Sequence, residues 1–217
     1  MRRSILSSLA CACLALAVTH ASADTVKIDG FTFASPKPVT VSSPSYSGVA
    51  GEFSGELNGA SFMTFCSDLF QSFAFGVTYT DYGVVNGVTA FGAQKSSDLN
   101  RAFSAFLAGG FPADATQSTV AQAIVWEIIY ETGPSYGFGS GSFTATSTDA
   151  GTQAALAAYN WAALPSQAIT HYVDQLHSGR TQDFVVVRPV PEPSTYALML
   201  AGIAGIGFVA RRRSQQS

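Results

Sequence analysis

The chain has 217 residues, of which 47% are hydrophobic, 12% aromatic and 12% charged, and its mean hydropathy is +0.23. A typical soluble domain is about 25% charged, so the balance excludes an intrinsically disordered chain, which needs low hydrophobicity and high net charge. Twenty glycines and 16 phenylalanines fit a packed fold with many turns.

The first 23 residues read as an address. Arg2 and Arg3 form a basic start, Ile5 to Val18 is a short apolar run, and Ala21-Ser22-Ala23 supplies the small residues that signal peptidase needs. This is a secretory signal peptide, with Asp24 the first mature residue. Cys11 and Cys13 lie within it and are discarded with it.

From Asp24 to Val88 short alternating runs are broken by Gly, Pro, Ser and Asn. Val26-Lys27-Ile28, Phe31-Thr32-Phe33, Val39-Thr40-Val41 and Phe73 to Tyr82 read as strands, and Asn58-Gly59 and Asn86-Gly87 as hairpin turns. From Ser96 the period becomes helical. A first helix is capped by Asp98 and stopped by Gly109-Gly110. A second starts near Ser118 or Thr119 and ends at Gly133-Pro134. Gly137 to Thr148 is a loop, and a third helix covers about 149–163. Pro165 opens a fourth, with Ile169, Tyr172, Val173 and Leu176 on one face. Phe184 to Val187 is a closing strand. The expected fold class is α+β: an antiparallel β-sandwich or barrel with an inserted helical segment of about four helices, in one extracellular domain over 24–187.

Residues 188–217 form a third segment. Val190-Pro191-Glu192-Pro193-Ser194-Thr195 precedes an uncharged run from Tyr196 to Ala210, and Arg211-Arg212-Arg213 follows. As a helix, 195–210 spans roughly 24 Å against a bilayer core of about 30 Å. It predicts a short transmembrane sorting helix that meets the cytoplasmic membrane transiently, with the arginines held in the cytoplasm. This tail resembles the PEP-CTERM sorting signal of Gram-negative bacteria. The resemblance implies recognition by an exosortase at Pro191, Glu192, Pro193 and the cluster Arg211, Arg212, Arg213, and a place at the cell surface or in the extracellular matrix. It also implies association with exopolysaccharide and biofilm.

Between the two addresses, residues 24–187 hold five cations against 13 acids (the 14 of the chain less Glu192), a net charge of −8. That excludes a nucleic-acid partner, which requires a basic footprint.

Cys66 is the cysteine left in the exported form. It makes no internal disulfide, and a leftover thiol needs a reason. A buried small hydrophobe is the bland one. The setting suggests another. Phe65-Cys66-Ser67-Asp68 and the later helical string Ala121-Gln122-Ala123-Ile124-Val125-Trp126 resemble the two motifs of bacterial Cys-Gln thioester domains, an aromatic-Cys-x-Asp box and a TQxAIW box. The first matches at Phe65, Cys66 and Asp68, the second at Gln122 and Trp126. Ala121 stands where the family has Thr, Ile124 where it has Ala, and Val125 where it has Ile. The resemblance implies an internal Cys66–Gln122 thioester, formed with loss of ammonia, that acylates an amine on a surface ligand. It implies single-use covalent adhesion rather than a turnover enzyme. Phe62, Phe65, Phe70 and Trp126 are the expected water-excluding wall, and Asp68 a proton acceptor.

The alternative is a non-catalytic structural component of the exopolysaccharide matrix, with Cys66 inert. A cysteine hydrolase using His171 or His177 ranks last, because no cysteine-protease signature surrounds Cys66. His171, Asp174 and His177 span more than one helix face and make a poor metal clip. Glu127 and Glu131 read as a surface pair. No cofactor and no metal are expected.

Overall fold

The computed structural model describes residues 23–191 and 193–214. The expected signal peptide lies outside the described residues except for Ala23, and so do Cys11 and Cys13.

Six strands come first: β1 Asp24–Phe31, β2 Lys37–Val41, β3 Tyr46–Ala50, β4 Phe53–Leu57, β5 Ala60–Thr64 and β6 Thr78–Val85. β1 begins at the residue expected to lead the mature chain. Its alternation buries Val26 and Ile28, and it runs antiparallel to both β4 and β6. The β4–β5 turn is the expected Asn58-Gly59 pair. Both residues have positive φ, 54° and 78°, as a two-residue type I′ hairpin requires. Asn86-Gly87 is no hairpin. The Asn86 side chain instead caps α1 (Gly87–Phe91) by accepting from the Val88 N–H at 3.0 Å.

Helices α2 (Ala93–Gly109) and α3 (Ala115–Tyr130) follow. Asp98 does not cap α2. It lies buried inside the helix, bonded by Gln94 and by the Tyr136 hydroxyl at 2.7 Å. α3 starts earlier than expected because Asp114 caps it, accepting from the Gln117 N–H at 2.8 Å. The hydroxyls read as caps do other work. Ser118 accepts from the Glu52 N–H at 2.7 Å, and Thr119 donates to the Ala50 carbonyl at 2.6 Å. α3 is apolar nearly all round and buried along most of its length, as such helices are. It packs against β2, β3, α2 and α4 (Ala150–Ala158). The expected third helix is therefore shorter than 149–163. It ends at Ala158, and a 3-10 turn over Trp161–Ser166 contains Pro165.

The expected fourth helix is a strand, β8 (His171–His177), paired between β6 and β9 (Phe184–Pro189). Val173 and Leu176 are buried in either reading, and a short apolar run cannot separate the two periods. Two partner strands with free edges decide it. β7 (Ala145–Thr146), within the expected loop, joins β2 and β3 in a three-stranded sheet.

The main sheet has the order β5-β4-β1-β6-β8-β9. Its two ends meet. Val185 N–H donates to the Phe65 carbonyl at 3.0 Å, Ser67 N–H to the Asp183 carbonyl at 2.9 Å, and Cys66 bridges Phe184. The sheet thus curls into a near-closed antiparallel barrel, and Cys66 lies on the closing seam.

The chain ends in α5 (Pro193–Ser214). The expected short transmembrane helix is corrected here: among the described residues no helix is long and apolar enough to cross a membrane. α5 has 22 residues, but its uncharged stretch over 195–210 reaches roughly 24 Å before Arg211, so the apolar part of the helix falls short of the bilayer core.

Candidate functional site

Across the closing seam the backbone N–H and C=O of Cys66 point away from Phe184, because the seam's ladder bonds belong to the residues on either side. Those two groups would be orphans, and a buried orphan is costly. Gln122, projecting from α3, takes both. Cys66 N–H donates to Gln122 Oε1 at 2.8 Å, and Gln122 Nε2 donates to the Cys66 carbonyl at 2.9 Å. The carboxamide therefore stands where the next strand's peptide unit would stand. Gln122 is 1% exposed and Cys66 8%, so Gln122 is no surface residue.

Both residues line a cavity of about 360 Å³, together with Trp126, Tyr46, Phe53 and Asp68. Trp126, one turn after Gln122, meets Tyr46 edge-on at 5.4 Å. Phe184, bridged to Cys66, contacts Phe73 at 5.2 Å and Phe53 at 6.2 Å. Burial pushes the Cys66 thiol pKa well above its ordinary value, and the charge of Asp68 adds to this. Burial also raises the Tyr46 hydroxyl.

The expected wall is only partly right. Trp126 lines the cavity, but Phe65 turns the other way, onto Phe103 at 5.7 Å, and lines a separate cavity with Phe62. Phe70 is 78% exposed. Tyr46, Phe53 and Phe73 take their place. They come from two strands and a loop, and no local motif marks them. Asp68 lines the cavity, and its carboxylate also accepts the Phe70 N–H at 2.6 Å. The Tyr130 hydroxyl braces the same loop, accepting from the Leu69 N–H at 2.9 Å.

The other candidates disperse. His177 pairs with Asp183 at 2.9 Å and His171 with Thr170 at 3.0 Å, and neither is hydrogen-bonded to Cys66. Asp174 is buried and holds Arg188 and the Gly87 N–H. Among the described residues no cluster of three His, Cys, Asp or Glu could hold a metal ion.

Glu127 and Glu131, read as a surface pair, are both buried. Glu131 organises the loop after α3, accepting from Gly133, from Phe143 at 3.0 Å and from the Ser142 hydroxyl at 2.8 Å. These donors, the Phe143 N–H first, lower its pKa to about 2. Glu127 accepts only the Gly137 N–H, at 2.6 Å, and its second oxygen is buried without a partner. Burial pushes its pKa up to about 7.

The sorting segment follows the barrel directly. Val190 N–H still bonds the Thr170 carbonyl at 2.9 Å, Pro191 is exposed, and α5 begins at Pro193. Glu192 lies outside the described residues. Arg211 and Arg212 are exposed near the helix end, and Arg213 belongs to the same helix. No curated protein and no solved structure matches the chain. Residues 189–213 match the PEP-CTERM protein-sorting motif, and with it the chain is an exported surface protein processed by exosortase.

Proposed function

We propose that Cys66 and Gln122 condense to an internal thioester, and that the exported protein uses it to acylate a primary amine on a surface ligand, acting as a covalent adhesin. The observation that carries this is the two-way hydrogen bond of the Gln122 carboxamide to the Cys66 backbone, at the edge of an aromatic cavity. Sulfur attacks the side-chain carbon of Gln122. Negative charge develops on Oε1, which already faces the Cys66 N–H, as an oxyanion donor should. The leaving nitrogen is Nε2, oriented by the Cys66 carbonyl. The thiol proton ends on that nitrogen and ammonia departs. Because the thiol stays protonated in this dry setting, its proton must leave as sulfur attacks. We assign that relay to Asp68, which lines the same cavity. The acyl group then passes to an amine, and the thiol is restored.

Intact-mass measurement of the mature protein tests this. The thioester form is lighter by one ammonia, and methylamine adds its own mass at Gln122. A full unmodified mass with no methylamine uptake rejects the reading.

A second reading has an observation of its own. Both polar atoms of the Gln122 amide are already used to complete the Cys66 backbone. On that reading the pair is a structural pin, and the protein is a non-covalent component of an exopolysaccharide matrix. Cys66→Ala separates the two. Surface retention persists in the second reading and is lost, without unfolding, in the first.

A further inference from the structure

The cavity beside Cys66 and Gln122 has a composition that the thioester alone does not require. Phe31, Phe53, Phe73 and Phe75 line it and form one contacting cluster. Phe31 and Phe53 are 4.7 Å apart, and Phe73 is 5.3 Å from both Phe53 and Phe75. Among the described residues that line it there is no lysine or arginine, and Asp68 brings the carboxylate. The partners of that carboxylate are neutral: the Phe70 N–H at 2.6 Å and, oriented to satisfy its neighbours, the Gln71 carboxamide at 3.3 Å.

Ring faces and an unneutralised carboxylate in one enclosure attract the same kind of molecule, an organic cation with an apolar body. Volume points the same way. About 360 Å³ is within the range of pockets that enclose small organic ligands and far exceeds what an ammonium or methylammonium ion fills. We infer that the cavity is a seat for a primary ammonium on an aromatic stem, with the ring among the phenylalanines and the ammonium at Asp68. Only the later covalent capture of this amine rests on the thioester reading; the binding does not.

The test uses Cys66→Ala in the full chain, which cannot form a thioester. Binding of 2-phenylethylammonium, followed by Trp fluorescence or calorimetry, is saturable. Methylammonium and the neutral isostere 2-phenylethanol each bind at least about tenfold more weakly. Adding Asp68→Asn removes the preference for the cation over the alcohol, and circular dichroism checks the fold. Equal binding of cation and alcohol to Cys66→Ala overturns the proposal whether or not the Asp68 variant folds, and so does failure to saturate. If binding behaves as expected while the native protein shows no loss of ammonia, the thioester reading fails and this one stands.

Discussion

The Gln122 side chain completes the backbone of Cys66 in the way a neighbouring strand would, with one hydrogen bond in each direction at 2.8 and 2.9 Å. A helix thereby supplies the pairing that the closing seam of the barrel lacks. The same contact seats the Gln122 carboxamide on the backbone of the residue that carries the thiol.

Removing the carboxamide therefore costs stability whatever its chemistry. Gln122→Ala leaves a buried N–H and a buried C=O unpaired, and the expected loss is about 2–4 kcal/mol. Urea unfolding reads it directly. In the same variant the thiol should react faster with alkylating agents under native conditions. A loss below about 0.5 kcal/mol would mean that water or the backbone replaces the amide at no cost.

Glu127 sets a pH dependence of one sign. Its folded pKa of about 7 lies above the ordinary 4.5, so the folded state holds the extra proton. Stability from this group is full below about pH 4.5 and declines as pH rises toward 7. Glu127→Gln keeps an acceptor for the Gly137 N–H and removes the charge. It should stabilise the protein at pH 8 by on the order of 2 kcal/mol and by much less at pH 5. Denaturation midpoints at the two pH values check this, and an equal gain at both would contradict it.

Glu131 has the opposite sign. Its carboxylate is held at about 2 by the loop donors, so its contribution is present above about pH 4.5 and is lost as pH falls toward 2. Glu131→Ala strands the N–H groups of Gly133, Ser142 and Phe143. Limited proteolysis should then cut within 133–144 at least about tenfold faster, since the opening of a local segment governs cleavage. An unchanged cleavage rate would show that the loop is held by packing alone.

Processing depends on the segment after β9. Replacing Pro191, Glu192 and Pro193 with alanine should leave the barrel's thermal unfolding unchanged and abolish maturation by exosortase, seen as persistence of the precursor mass. Normal maturation of the triple variant would remove these residues from the recognition site.

Much of the barrel was legible because its strands alternate and the β4–β5 turn carries Asn58-Gly59. The sorting segment was legible because its residue order is itself the signal. The Cys66 and Gln122 boxes were paired through their resemblance to thioester-domain motifs, and the structure joins the Gln122 side chain to the Cys66 backbone. His171–His177 was misread because Val173 and Leu176 stand three apart, a helical spacing, and the strand buries both without clean alternation; its pairing with β6 and β9 decides the outcome. Tyr46, Phe53 and Phe73 escaped notice because a wall assembled from separate strands and a loop leaves no local pattern. Glu127 and Glu131 were misread for a related reason. Spacing of four on a helix looks solvated until a following loop folds over it and offers its N–H groups.

The seam at Cys66 needs Asp183, Phe184 and Val185, which belong to the last strand before the sorting segment. Translocation delivers the chain from its N-terminus, so these residues emerge after almost everything else. A half-exported polypeptide has Cys66 and Gln122 but lacks the strand that pairs along the other side of Cys66. The order of delivery thus acts as a timer for the seam, which closes only once the strand carrying Phe184 has left the cell interior.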